Sequence, residues 1–87
     1  MFKEEDIIII KTDDGEEKKF YKLIQFYSNE THKDYLIYTD GNFEENKLNL
    51  YSSIIKKNEN GILFKKITEE IDKKIVYETL KKELKNN

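Results

Sequence analysis

The chain has 87 residues, of which 39% are charged and 37% are hydrophobic, and its net charge is −2. A chain of this length forms one domain with a small core, and its near-neutral charge and 13% aromatic content argue against intrinsic disorder. It contains no cysteine, which excludes disulfides and thiolate chemistry, and its run of four isoleucines is far below the ~20 apolar residues that span a bilayer. Because the N-terminal MFKEED also lacks the apolar segment of a secretory signal, we expect a single cytoplasmic domain over residues 1–87.

The first predicted elements are a strand over residues 5–12 and a second strand over residues 18–27, joined by the acidic segment DDGEE. Asp14–Gly15 is an Asx-Gly pair, which favours the positive φ of a hairpin turn. A calcium loop of the EF-hand type would need oxygen ligands at alternate positions and a closing glutamate. Asp13 and Asp14 are adjacent instead, so we interpret DDGEE as a turn and expect no metal site.

Three further strands are predicted over residues 34–39, 48–56 and 61–67. The pairs Asp40–Gly41 and Asn60–Gly61 mark turns beside them, although the link DGNFEENK is longer than a tight hairpin requires. The segment SNETHK, between the second and third strands, has no glycine and predicts a looser turn. This pattern predicts an antiparallel β-meander of about five strands.

The last element is predicted to be a helix over residues 69–84. Thr68 can cap its N-terminus, acidic residues follow in the first turn, and lysines gather near its end, which complements the helix dipole. The apolar stripe drifts around the axis, so the helix either crosses the sheet obliquely or touches different surfaces with its two ends. The predicted fold class is α+β, with this C-terminal helix packed on one face of the sheet.

Both faces of the first two strands are predicted to be apolar. Alternation with period two divides the second strand into two sets: Phe20, Ile24 and Phe26 on one face, and Tyr21, Leu23 and Tyr27 on the other. A single helix covers one face, so the other is covered by the loop around Phe43, by curling of the sheet, or by another molecule. We therefore take Tyr21, Leu23 and Tyr27 as a candidate surface for a protein partner or a homodimer.

The sequence offers no constellation that points to catalysis. His32 is the only histidine, and without cysteine a zinc site would have to recruit carboxylates. Glu44 and Glu45 lie in a polar loop with no apolar setting that would raise a carboxyl pKa. No glycine-rich phosphate loop is present. We expect a protein that is not an enzyme, with no catalytic residues, no cofactor and no metal.

Nucleic-acid binding is the alternative function. Tyrosines on the predicted strands, with lysines near the strand ends, would form a stacking platform with phosphate contacts. These residues are Tyr35, Tyr38, Tyr51, Lys33, Lys56 and Lys57. Against this alternative, the net charge is −2, arginine is absent, and acids interleave with the lysines, whereas phosphate contacts favour a basic field.

The order of these features resembles that of a known family. The runs IIIIKTDDGEEKKFYKLIQF, KDYLIYTD and NENGILFKKITEEID, with a terminal helix ending in LKKEL, are similar to the DUF1292 or UPF0473 family of small uncharacterised bacterial proteins. The resemblance implies a cytoplasmic protein and no established activity, and this chain departs from the family's acidic habit by its sixteen lysines. We expect a non-enzymatic protein–protein interaction or regulatory module.

Overall fold

A computed structural model of the chain describes residues 3–11, 14–59 and 61–85. The chain begins with a short 3-10 helix, η1, and ends with a long α-helix, α1. The elements in chain order are η1 (Glu4–Asp6), β1 (Ile7–Lys11), β2 (Glu17–Ser28), β3 (Lys33–Thr39), β4 (Phe43–Glu44), β5 (Lys47–Leu48), β6 (Tyr51–Asn58), β7 (Gly61–Lys65) and α1 (Glu70–Lys85).

The main sheet has five strands in the order β1-β2-β3-β6-β7, and every neighbouring pair is antiparallel. The predicted α+β class, with a meander and one C-terminal helix, is confirmed. β4 and β5 pair with each other in a separate small hairpin inside the long link. Because Leu48 pairs with Phe43 there, the fourth strand of the main sheet starts at Tyr51, not at residue 48.

The N-terminal end of the sheet also differs from the prediction. Residues 4–6 form η1, so β1 starts at Ile7 and not at residue 5. Thr12, the predicted last residue of this strand, and Asp13 lie outside the described residues. The turn itself holds its bend by a local contact, because the Glu16 amide donates to Asp14 Oδ1 over 3.4 Å.

Left-handed backbone occurs at the turns, as the Asx-Gly pairs predict. Gly15, Gly41 and Gly61 have φ values of 86°, 85° and 125°. The looser turn before β3 uses His32, whose φ is 57° and whose amide donates to the Ser28 carbonyl over 2.8 Å. The β4–β5 turn adopts positive φ at Glu45 and Asn46 without any glycine.

One core layer lies between α1 and the sheet, on what we call the helix face. Tyr35 of β3 and Ile54 of β6 pack there against Ile75, with Phe26 and Val76 beside them. The helix therefore presents residues 72, 75, 76, 79 and 80 to the sheet, all of them buried or half-buried. This is the i, i+3, i+4, i+7, i+8 spacing of an amphipathic helix. It leaves the apolar residues Ile71 and Tyr77 of the same helix exposed.

A second apolar layer lies on the opposite side of the sheet, the helix-free face. Leu36, Tyr38 and Ile55 are buried there, and side chains from both edge strands pack onto them: Ile8 and Ile10 from β1, and Phe64 from β7. Residues from opposite edges meet the same cluster because the sheet is curled. Phe43 is 58% exposed and so gives little cover. This face is therefore covered within the chain by side chains of the edge strands, which the curling of the sheet brings over it.

A β-bulge corrects the predicted division of β2 into two faces. The pairing with β3 shifts between Lys22 and Ile24, so Leu23 is an extra residue that reverses the alternation. Before the bulge, Tyr21 pairs with Thr39 on the helix face. After the bulge, even-numbered residues point to the helix face, and Tyr27 points away from it. The predicted sets were wrong because period-two counting assumes that no residue is inserted.

The long link between β3 and β6 is closed by Asp40. Its carboxylate accepts hydrogen bonds from the Asn42 amide at 2.8 Å, from the Tyr51 hydroxyl at 3.1 Å and from Asn49 Nδ2 at 3.5 Å. The Asn42 amide, followed by the Tyr51 hydroxyl, holds the pKa of Asp40 below its usual value. These contacts fix the base of the β4–β5 hairpin against the end of β6.

Gly61 provides a test of backbone strain that involves no packing. A Cβ at this position would meet nothing within 4 Å, but φ is 125°, where side chains are rarely accommodated. We expect Gly61→Ala to lower the free energy of unfolding by about 1–2 kcal/mol, the typical penalty for left-handed backbone. Urea unfolding monitored by circular dichroism measures it. Glu59→Ala in the same turn is the control, and equal stability of both variants would contradict this reading.

Candidate functional site

The helix-free face contains an apolar groove that runs between the two edges of the curled sheet. Leu36 and Ile55 form its floor, and Ile8 of β1 lies across from Ile62 and Phe64 of β7. The groove encloses about 270 Å³. We call this feature the sheet groove. It exists because the edge strands curl toward each other without closing.

The rim of the sheet groove is polar, and one end of it is acidic. Glu5 and Asp6 of η1 line this end, while Lys22 and Gln25 of β2 line the side. Glu5 is exposed and lies 4.0 Å from the Lys3 ammonium, a surface pair that contributes little binding energy. The short 3-10 helix therefore places carboxylates at the end of an otherwise apolar trough.

The helix face holds a buried ionic cluster that fastens α1 to β3. Asp72 is 1% exposed, and its carboxylate accepts hydrogen bonds from the Tyr35 hydroxyl at 2.5 Å and from the Lys33 ammonium at 3.1 Å. Thr31 Oγ1 lies 2.7 Å from the same Tyr35 hydroxyl. A buried carboxylate is stable only when it is paired and hydrogen-bonded, and both conditions are met here.

The cluster shifts the pKa of each of its ionisable groups: that of Asp72 is lowered, and those of Tyr35 and Lys33 are raised. The Tyr35 hydroxyl, and then the Lys33 ammonium, hold the pKa of Asp72 below its usual value, although burial acts in the opposite direction. Burial, followed by the bond to Asp72, raises the pKa of Tyr35. The bond to Asp72 raises the pKa of Lys33. At neutral pH Asp72 is therefore a carboxylate, Tyr35 a neutral phenol and Lys33 an ammonium. We interpret the cluster as a structural contact that attaches α1 to β3.

Sequence reasoning missed Asp72, although a signal was present. Asp72 precedes Ile75 by three residues and Val76 by four, so it lies on their stripe of the helix. A carboxylate on an apolar stripe needs a buried partner. The tyrosine and lysine of KDYLIY on β3 supply it, but nothing in the sequence indicates which strand lies under the first turn of α1.

The predicted partner surface of Tyr21, Leu23 and Tyr27 is not one continuous surface. Tyr21 is half-buried on the helix face, with the Lys19 ammonium 5.6 Å from its ring centroid. Leu23 is partly exposed at the bulge. Tyr27 is exposed on the helix-free face, where its hydroxyl lies 3.1 Å from His32 Nδ1. Whether any of them contacts a partner stays a prediction.

The residues considered for catalysis lie apart from one another. His32 is exposed in the turn before β3, and Glu44 and Glu45 are exposed at the tip of the β4–β5 hairpin. In the ranges 3–11, 14–59 and 61–85, no group of three or more His, Asp or Glu side chains could hold a metal ion. The same ranges contain no helix long and apolar enough to cross a membrane.

The tyrosines considered for base stacking are mostly inside the protein. Tyr35 is buried under α1, and Tyr38 is buried with its hydroxyl 2.8 Å from Ser53 Oγ. Tyr51 is partly exposed, but its hydroxyl is bound to Asp40 and its ring stacks on Tyr38, with centroids 5.8 Å apart. The structure therefore does not present these three rings together on a surface.

Comparison with known proteins found no family model, no curated protein and no solved structure that matches this chain. The resemblance to the DUF1292 family therefore stays a prediction.

The buried cluster makes a stability prediction. We expect Asp72→Asn to lower the free energy of unfolding at pH 7 by about 1.5–3 kcal/mol, because hydrogen bonds to a charged group are lost. Glu70→Gln is the matched control: it removes a carboxylate two residues away whose side chain is 90% exposed, and a change within about 0.5 kcal/mol is expected. Denaturant unfolding of both variants measures the difference, and equal losses would show that Asp72 is not a fastening.

The same cluster makes a pH prediction. The folded-state pKa of Asp72 lies below its unfolded-state value, so its contribution is present above the unfolded pKa of about 3.9 and is lost as the pH falls through the folded pKa. We expect the gap in stability between the wild type and Asp72→Asn to be constant near neutrality and to close below about pH 4. Unfolding curves from pH 7 to pH 2.5 test this, and a gap that widens toward acid would contradict it.

Proposed function

We propose that this protein is a non-enzymatic module of the cytoplasm that binds another protein through the sheet groove. The occupant is an extended peptide segment that inserts an apolar side chain between the edge strands and places a lysine or arginine at the acidic end. The observation that carries the proposal is the apolar groove on the face that α1 leaves uncovered, with the carboxylates of η1 at one end.

The chemistry of the groove supports a side chain as the occupant. Its floor and walls are isoleucine, leucine and phenylalanine, which bind by removal of apolar surface from water and offer few directional contacts. Its volume of about 270 Å³ is just below the ~300–1,000 Å³ typical of small-molecule sites. That space suits one or two inserted side chains better than a whole cofactor.

The charges at the rim support a basic flanking residue. Glu4, Glu5 and Asp6 are consecutive acids in η1, and Lys22 is the lysine that lines the groove near them. The acids outnumber the lysine, so a cation that enters at this end is favoured over an anion. Lys3, whose ammonium lies 4.0 Å from Glu5, already neutralises part of this negative charge.

The nucleic-acid alternative is less well supported than the protein partner. Base stacking requires exposed rings, and two of the three tyrosines considered for it are buried. The acidic end of the sheet groove repels phosphate, which dominates nucleic-acid affinity. The resemblance to the DUF1292 family, which we carry into this proposal, implies no activity that would favour either partner.

Selection from a displayed library of random peptides tests the proposed function. We expect the selected peptides to share an apolar residue next to a lysine or arginine, and to compete with one another in fluorescence polarisation. Gln25→Trp, which places a large ring at the rim, should abolish binding. Glu5→Lys should weaken it about three- to tenfold, the effect of reversing one exposed charge.

The matched control is Glu70→Lys, which reverses another exposed acid, on α1 and away from the groove. Binding to this variant should be unchanged, and circular dichroism should show that all three variants are folded. If no peptide is enriched, or if the enriched peptides bind Gln25→Trp as tightly as the wild type, the sheet groove is not a protein-binding site.

A further inference from the structure

The outer edge of β7 presents main-chain hydrogen-bonding groups that have no partner among the described strands. β7 is the last strand in the sheet, and Asn58 and Gly61 are directly opposite each other at its turn with β6. The two residues that close such a short turn form a hydrogen-bonded pair, and these pairs alternate along an antiparallel ladder. The amides and carbonyls of Ile62 and Phe64 therefore point outward.

The side chains of this edge are also unusually exposed for apolar residues. Ile62 is 54% exposed on the helix-free face, and Leu63 is 57% exposed on the helix face. The other edge strand, β1, differs because three of its four isoleucines are half-buried and Ile9 alone of them is exposed. Proteins commonly protect edge strands with charges or with a cover, and the segment GILF of β7 has neither.

We propose that β7 is a self-association edge that pairs antiparallel with β7 of a second copy of this chain, about a two-fold axis at Leu63. In this register Ile62 of each copy exchanges main-chain hydrogen bonds with Phe64 of the other, and the two Leu63 side chains meet on the helix face. All residues of β7 are then paired, and the two main sheets become one continuous sheet. The proposal does not depend on peptide binding in the sheet groove.

The placement of charge favours this antiparallel register over a parallel pairing. Lys65, the charged residue of β7, lies opposite Gly61 of the other copy. The two lysines are then four residues apart along the strand, about 13 Å, which exceeds the ~8 Å Debye length at physiological salt. A parallel pairing would place Lys65 directly beside its own copy, where like charges are unfavourable.

The two-fold axis also allows a test by charge exchange. Leu63→Glu places a carboxylate opposite Lys56 within the chain, which is compatible with the β6–β7 hairpin, but opposite its own copy across the axis. Leu63→Lys lies opposite Lys56 within the chain, where like charges are unfavourable, and it also meets its own charge across the axis. We expect each variant alone to be a monomer and an equimolar mixture of the two to dimerise, because unlike charges then meet at the axis.

Sedimentation velocity from about 5 to 500 µM, a range suited to a small interface, measures the association. The wild type is expected to move toward twice the monomer mass of 10.5 kDa as concentration rises, and each single variant to remain at that mass. Ile9→Glu on β1 is the matched control, since it changes the exposed apolar residue of the other edge, and it should dimerise as the wild type does.

A wild type that stays monomeric throughout would overturn the proposal. So would a dimer that Ile9→Glu abolishes and Leu63→Glu leaves intact, or single variants that the mixture fails to rescue. Circular dichroism establishes that each variant is folded. Gln25→Trp should dimerise normally, and Leu63→Glu should still bind selected peptides because its side chain points away from the sheet groove, so the two proposals fail separately.

Discussion

Strand β3 is buried on both of its faces, but α1 can cover only one of them. The rest of the fold follows from how the second face is covered. Tyr35 and Ile37 point toward α1, while Leu36 and Tyr38 point away from it, and all four are buried. α1 covers the first pair. The second pair is covered by side chains of the edge strands, which the curl of the sheet brings inward. The groove is what remains where this cover is incomplete.

The two apolar layers are stabilised by different kinds of contact. The helix-free layer is mainly apolar and aromatic: the Phe20 ring is set edge-on to the Tyr38 and Tyr51 rings, with centroid distances of 5.1 and 5.6 Å. It also contains the buried hydrogen bond between Tyr38 and Ser53. Burial of apolar surface is not directional, whereas edge-to-face ring contacts have a preferred geometry. The helix face adds the ionic contacts of Asp72, which are directional and fix the rotation of α1 on the sheet.

The sequence predicts the class of fold, the order of its main elements and the glycine turns, because each rests on local patterns of a few residues. It does not predict the bulge at Leu23, since this residue is apolar like Ile24 and nothing local distinguishes it from a regular strand residue. It does not predict the pairing of Asp72 with Tyr35, because these residues are 37 positions apart in the sequence and only the tertiary fold brings them together. The groove depends on the curl of the sheet, which no alternation of residues encodes.

The four isoleucines of β1 have a consequence for how the chain is aligned. Ile7 and Ile9 point to one face of the sheet, and Ile8 and Ile10 to the other. A slip of one residue against β2 would exchange isoleucine for isoleucine at the interior positions, whereas in most strands it would exchange apolar for polar. The sequence of β1 therefore does little to determine its register against β2. The register is determined instead by the DDGEE turn and by the charges at the strand ends. A change in the length of the turn would therefore leave the apolar contacts of β1 in place.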